Sequence, residues 1–328
     1  MPARLSPVAN DSGGTVRDAG EFGLIDRINA DGVNGAGVIV GPGDDTAVVA
    51  APDGSVAVTC DVLVEGVHFR RDWSTPIDVG RKSAAASLAD IAAMGARPTA
   101  IIVGLGIPGD LPTAWAVACA AGMREEAASV GASLVGGDVV EAPQVVISVT
   151  ALGDLEGRAP VLRSGARPGD VVAFAGRLGW SAGGLALLSR GFRSPKALVD
   201  AHRCPQPDYA AGVRAASAGA TAMIDVSDGL VADAQHIADA AGVDLLIDTA
   251  AWQVPEPMAA AAAAYNVDPR EWMLTGGEDH ALLATFPAGT ELPEGFVATG
   301  VVAHPSTPPC VLVDGKARPG NGGHRHFG

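Results

Sequence analysis

Aromatic side chains make up only 4% of the 328 residues, while glycine fills 43 positions, so packing rests on small aliphatic groups and much of the backbone is open to close approach. Cysteine is nearly absent. Cys60, Cys119, Cys204 and Cys310 are scattered with no CxxC pair, which excludes a disulfide scaffold and a thiolate zinc site and points to a reducing, cytoplasmic setting. Basic residues are few, 22 Lys and Arg against 37 Asp and Glu, and the net charge of −15 argues against binding to nucleic-acid backbones or anionic membranes. Apolar runs are short: Asp110 and Glu125 interrupt the richest stretch before it reaches the roughly 18 residues of a membrane span. The N-terminus has no apolar segment that would make a signal peptide.

Several routes to chemistry are also missing. There is no GxxxxGK[ST] phosphate loop, no HExxH or Cys/His metal spacing among the histidines at 68, 202, 236, 280, 304, 324 and 326, and no GxSxG or SxxK nucleophile motif. A formal GxGxxG occurs at Gly104, Gly106 and Gly109. Pro108 and Pro112 fall where a dinucleotide-binding helix would begin, so these glycines read as a strand exit.

What is present is a chain rich enough in apolar residues, 48%, to bury large cores, and long enough for two domains of roughly 150 residues each. The reading is a mobile tail over 1–20, an N-terminal domain over 21–155 and a C-terminal domain over 156–328, parted by the Gly, Pro and charge-rich stretch at 153–169. Periodicity predicts a short helix in EFGLIDRI, strands in the runs around 38–50 and 55–69, and an Ala-rich helix over about 80–94 that Gly95 stops. A strand at 99–105, a helix at 112–130 and strands at 136–138 and 144–152 follow. In the second half, strands are expected at 171–175, 222–226, 243–248, 281–286, 296–302 and 310–314, and helices at 181–190, 207–218, 229–241 and 255–265. This alternation is α/β.

The carboxylates are unevenly placed. Asp44, Asp45, Asp61, Asp138, Asp225, Asp228, Glu278 and Asp279 stand near Gly where apolar strands are expected to end, the ligand side of an α/β sheet. Any single Gly-Asp pair is an ordinary turn; the recurrence suggests a cluster of like charges that a hard divalent cation would compensate, best Mg²⁺ together with phosphates. Asp90 lies instead inside the Ala-rich helix, three residues after Ser87 and beside an apolar stripe, where it needs a partner. Gly136-Gly137-Asp138 and Gly276-Gly277-Glu278-Asp279 allow backbone amides to approach phosphate, and Arg163 offers it a fork of donors or is simply an exposed linker residue. Ser227 either faces the site or caps the helix that follows, and His68 is a substrate contact or a satisfied structural residue. With no nucleophile apparent, Mg²⁺-dependent phosphoryl transfer suits the pattern best, since it needs positioning and charge neutralisation.

The ordered set GDDTAVV, TCDVLVEGVHF, SLADIAAMGARP, GGD, RSGARPGD, IDVSDGL and GGEDHALL, spread over 21–328, resembles the thiamine-monophosphate kinase family of the PurM-like ATP-dependent superfamily. That resemblance implies a two-domain PurM-like fold, ATP-dependent phosphorylation of thiamine monophosphate to thiamine diphosphate, and a homodimer paired through its N-terminal sheets, without nucleic acid or membrane as partner. By position, Asp45, Thr59, Asp61, Asp90, Asp138, Asp225 and Asp228 resemble the family's magnesium ligands. Gly137, Asp138, Arg163 and Ser227 resemble its ATP contacts, and His68, Glu278 and His324 its substrate contacts. Cys60 stands where the family usually has Thr, His280 where it has Tyr, and His324 where it places an aromatic ring. A PurM-like synthetase that activates an amide oxygen, and an ATP-binding module without turnover, are the alternatives.

Overall fold

A computed structural model describes residues 14–30, 32–35, 37–41, 47–250 and 252–318. Helix α1 (Val16–Asn29) begins inside the stretch expected to be tail. Thr15 and Asp18 form a reciprocal capping box, and Val16 N–H donates to Leu111 O at 2.8 Å, so residues from Thr15 on are tied to the core. The T-x-x-D signature was there to be read, but the polar composition around it masked it. Strands β1 (Val38–Val40) and β2 (Val48–Val49) make a small antiparallel pair.

The first sheet joins β3 (Ala57–Val64), β4 (Arg97–Ile107), β5 (Ser133–Glu141) and β6 (Val146–Asp154) in the order β3-β6-β4-β5. Only β4 and β5 are parallel, and the crossover between them is helix α3 (Thr113–Ser129). Gly104 and Gly106 lie within β4 and Pro112 is the N-cap of α3, so the glycine run is a strand and its exit, as expected. One face of the sheet buries Ile101, Val103, Leu105, Ile147 and Val149 under helices, while Val58, Val62 and Ile102 stand exposed on the other.

Helix α2 (Pro76–Ala93) starts one turn earlier than its apolar pattern indicates, because Thr75 and Asp78 form a second capping box with Pro76 in the first helical turn. Small residues bring it very close to its neighbours. A Cβ on Gly80 would lie 1.9 Å from Cys119 O in α3, and one on Gly122 of α3 would lie 2.2 Å from Ile77 O. No side chain beyond hydrogen fits there.

The second sheet is built from β7 (Val171–Ala175), β8 (Ala222–Val226), β9 (Asp244–Ile247), β10 (Ala281–Phe286), β11 (Phe296–Ala303), β12 (Val311–Val313) and β13 (Lys316–Arg318). Its order is β13-β12-β9-β11-β7-β10-β8, antiparallel except for β12 on β9. Helices α4 (Trp180–Leu188), α5 (Lys196–Arg203), α6 (Tyr209–Ser217), α7 (Leu230–Ala241), α8 (Glu256–Tyr265) and α9 (Pro269–Thr275) surround it. α5 and α9, short and opened by Pro195 and Asp268, were not apparent from periodicity. The architecture is thus mixed α/β around two sheets, and α2 bridges them: Ala93 packs with Met223 and Phe286, and a Cβ on Gly212 of α6 would lie 1.9 Å from Ala92 O. No helix of the described residues is long and apolar enough to cross a membrane.

The close approach is testable. Gly80→Ala and Gly212→Ala should each destabilise the fold by about 2 kcal/mol despite the better helix propensity of alanine, read as a lower urea midpoint. An unchanged midpoint would contradict the contact.

Candidate functional site

The polar face of α2 meets the strands of both sheets. Thr59 and Asp61, two apart on β3, point the same way, toward α2. Thr59 Oγ1 donates to Asp90 Oδ2 at 2.6 Å, and Ser87 Oγ donates to Asp61 Oδ2 at 2.8 Å and also to Val149 O. Asp225, at the buried end of β8, faces the same region across the sheets. Burial, then the negative charges of Asp225 and Asp61, push the Asp90 carboxyl up to about 7. His280 Nδ1 lies 3.1 Å from Asp225 Oδ2. Burial alone would lower the His280 value, but the hydrogen bond and charge of Asp225 outweigh it, so the ring titrates above the ordinary range. Asp61 and Asp138 are therefore not at strand ends as expected: both lie within their strands, β3 and β5.

Two loops close the region from the C-terminal side. Glu278 N–H donates to Ser227 O at 2.8 Å, and a Cβ on Gly277 would lie 2.2 Å from that same carbonyl, so the GGEDH and DVSDG segments pack backbone to backbone. Glu278 and His280 both hold positive φ, 65° and 52°, a conformation costly for side chains other than glycine and common where function over-determines the backbone. Ser227 does not cap α7. Its N-cap is Gly229 without a side-chain cap, and Asp233 reaches back instead, accepting from the Asp228 and Gly229 amides at 3.0 Å each. Burial, followed by the charge of Asp225, raises Asp233 to about 7. Asp279 is buried with Oδ1 accepting from Ser181 N at 2.9 Å and Oδ2 unpartnered, and burial raises it likewise to about 7.

The remaining predicted residues are dispersed. Asp138 is exposed, hydrogen-bonded to its neighbour's amide, Val139 N, and paired in register with Gly104 on the sheet face opposite Thr59 and Asp61. Gly137 sits tight against Val103, where a Cβ would lie 2.0 Å from the carbonyl. Arg163 is exposed in a 3-10 turn, Arg163–Gly165, that packs on β8 and α7. His68 Nδ1 accepts from Val64 N at 3.0 Å, and Glu278 pairs with Lys82 at 3.0 Å. The chain thus brings together Thr59, Asp61, Asp90 and Asp225, and sets Ser227 and Asp228 beside Glu278. Asp138 stands apart from that group on the opposite face of the first sheet. Asp45 and His324 lie outside the described residues. Lys82, Ser87 and Asp233 were not foreseen; Ser87 and Lys82 carried no signal beyond polarity on an apolar helix, whereas Asp233, at the fourth position of α7, is an acidic residue in a first helical turn, where the helix dipole favours one.

Among the described residues no three His, Cys, Asp or Glu side chains are arranged as a ready metal site. The chemistry of the group nevertheless suits a hard cation. Its donors are carboxylate and hydroxyl oxygens, and the like charge that, after burial, raises Asp90 is what a divalent ion would relieve.

The family described as AIR synthase related protein, N-terminal domain, matches residues 43–155. The thiamine-monophosphate kinase of Mycobacterium tuberculosis (strain H37Rv) is 50% identical over 315 residues, 96% of this chain and 93% of its own length. That of Corynebacterium glutamicum is 40% identical and covers 96% of both chains. Among solved structures, AaThiL complexed with AMPPCP and TMP superposes with a TM-score of 0.78 at 33% identity, covering 97% of this chain and 100% of its own. Thiamine-monophosphate kinase from Stenotrophomonas maltophilia K279a gives 0.79 at 31% identity over 90% and 96%. Hydrogenase maturation protein HypE, 18% identical with a TM-score of 0.69, shares the fold alone. Likeness of this extent and over this share of both chains shows that the protein belongs to the thiamine-monophosphate kinase family.

Proposed function

We propose that the chain transfers the terminal phosphoryl group of ATP to thiamine monophosphate, giving thiamine diphosphate and ADP. The observation that carries this reading is the carboxylate group of half-buried Asp61 and Asp90 with buried Asp225 between the two sheets, in a chain half identical to a thiamine-monophosphate kinase. AaThiL holding AMPPCP, an ATP analogue, together with TMP supports the choice of co-substrate and acceptor over an amide-activating synthetase or a module without turnover.

The acceptor is a phosphate oxygen. A phosphomonoester is largely dianionic at neutral pH, so no general base is required. The difficulty is electrostatic, since two polyanions must approach. Mg²⁺ held by Thr59, Asp61, Asp90, Asp225 and Asp228, with Asp45 as a further ligand, would offset that repulsion and stabilise charge on the transferring group; Asp138, on the opposite face of the first sheet, is left out of this set. We assign Gly137, Arg163 and Ser227 to ATP and His68, Glu278 and His324 to the acceptor. His280 orients Asp225 by its 3.1 Å contact, and Asp233 orients Asp228 through the loop amides. Transfer is direct and in line, with no phosphoenzyme. Residues 21–155 act as the metal-holding and dimerising unit and 156–328 as its C-terminal companion. The open face of the first sheet, where Val58 is 59% and Val62 48% exposed, is the surface through which two copies pair.

Three measurements bear on this. In ³¹P NMR with ATP and Mg²⁺, diphosphate resonances of thiamine diphosphate should appear together with ADP when thiamine monophosphate is present and not with thiamine; ADP formation independent of acceptor would remove the substrate assignment. Asp61→Asn and Asp228→Asn should each lower kcat by about 100-fold or more with the fold intact by circular dichroism, and wild-type turnover in either variant would remove the metal assignment. The third concerns pH. A carboxyl that holds its proton up to about 7 when folded, but only to about 4 when unfolded, favours the folded state at low pH and costs stability as pH rises through that window. Asp90→Asn should therefore stabilise the metal-free protein by about 1–3 kcal/mol at pH 8 and by much less at pH 5. Mg²⁺ should raise the wild-type Tm more at pH 8 than at pH 5, and a pH-independent Mg²⁺ shift would contradict binding at these carboxylates.

A further inference from the structure

Lys82 is a lysine buried near the middle of the molecule. It is 4% exposed, on the face of α2 that turns toward the C-terminal half. Its ammonium has three hydrogens and three acceptors. Nζ donates to His68 O at 2.9 Å and to His202 O at 3.2 Å, and pairs with Glu278 Oε1 at 3.0 Å. The acceptors come from three separate segments: the turn after β3, the last turn of α5, and the GGEDH loop. A buried charge is tolerated only when paired and fully hydrogen-bonded, and here every donor is used.

The surroundings show that this arrangement aims Glu278 and is more than a tie between segments. Its side chain, a third exposed, keeps one oxygen on Lys82 while Oε2 lies 3.5 Å from both Ser181 Oγ and His202 Nδ1. His202 is buried and joined to Ser181 Oγ at 3.0 Å; burial, with the charge of Lys82 next, holds its value down to about 4, so it is neutral and Lys82 is the cation that partners Glu278. The positive φ of Glu278 leaves its side chain few alternative directions. His68, the other acceptor-facing residue, is held by the same nitrogen through its carbonyl.

We propose that Lys82 is a positioning residue for the acceptor substrate: its ammonium fixes the Glu278 carboxylate and the His68 turn relative to one another across the two halves of the chain, without itself touching the nucleotide. The inference rests on the assignment of Glu278 and His68 to the acceptor. An ammonium satisfies three tetrahedral acceptors at once, whereas a planar guanidinium does not, so arginine is an imperfect replacement.

The test uses the full-length protein with Lys82→Met, Lys82→Arg, Glu278→Gln and the double variant Lys82→Met/Glu278→Gln. Hydrogen–deuterium exchange reads positioning without any substrate. In Lys82→Met, and to a smaller extent in Lys82→Arg should the methionine variant not fold, residues 65–73 and 276–280 should lose protection while the β5 strand keeps its own. Unchanged protection overturns the proposal whatever the substrate proves to be. Kinetics with ATP, Mg²⁺ and thiamine monophosphate then read the consequence. KM for the acceptor should rise about tenfold or more with KM for ATP within about twofold of wild type, and Lys82→Met should add little to the effect of Glu278→Gln, because the two act as one unit. Equal changes in both KM values, or strictly additive effects, overturn acceptor positioning and leave a structural tie. Lost protection in a protein whose wild type does not phosphorylate thiamine monophosphate upholds the positioning of the two segments and places the failure in the activity reading.

Discussion

Everything in this molecule depends on one helix that is buried on nearly all sides and yet carries charge. α2 lies against α3 at backbone contact, covers the first sheet, and reaches the second through Ala92 and Ala93. Its run of alanine, glycine and serine is what permits that approach, since larger side chains would hold the neighbours apart and open voids. The same crowding buries Lys82 and Ser87 and leaves Asp90 only partly open to water. Each must find its partner on another element, and those partners, Glu278, Asp61 and Thr59, belong to the segments that form the site.

The site therefore has two electrostatic halves on one helix, separated by about two turns. At Lys82 the charge is balanced, with one cation saturated by a carboxylate and two carbonyls. At Asp90 it is not, because burial and the neighbouring Asp61 and Asp225 leave a cluster of like charge whose relief comes from protonation or from a cation. A protein that handles two phosphorylated substrates would benefit from this asymmetry: under the proposed assignment the unbalanced half would accommodate added positive charge and phosphate, while the balanced half ties together the loops beside it. The backbone strain at Glu278 and His280 lies between the two and is offset by the hydrogen bonds of Ser227 O and Val226 O to their amides.

Legibility in the sequence varied with the range of the interaction concerned. Strands such as Val171–Ala175 and Ala281–Phe286 were evident as bounded apolar runs because their signal is local. Helix starts at Val16 and Pro76 were missed by several residues because the capping threonines lie outside the apolar pattern that was followed, and α5 and α9 because they are short. The acidic residues stood out as a recurring set near glycine, yet the expectation that Asp61 and Asp138 end their strands was wrong: β3 runs on past Asp61 to Val64, and Gly137 beside Asp138 marks close packing of strands and not a turn.

By itself the sequence determined the α/β class, the family through an ordered series of motifs, and the residue types available for chemistry. Only the tertiary structure decided which carboxylates meet. Asp61 and Asp90 are joined through Ser87 and Thr59 to one face of the first sheet, Asp225 arrives from the other sheet, and Asp138 stands on the opposite face despite an equally suggestive motif. It also decided that Lys82, unremarkable in an Ala-rich stretch, is the cation that holds Glu278. The physical reason is that composition and periodicity report what each segment can bury on its own, whereas the value of a buried charge is set by groups that lie far away along the chain and come within 3 Å of it only on folding.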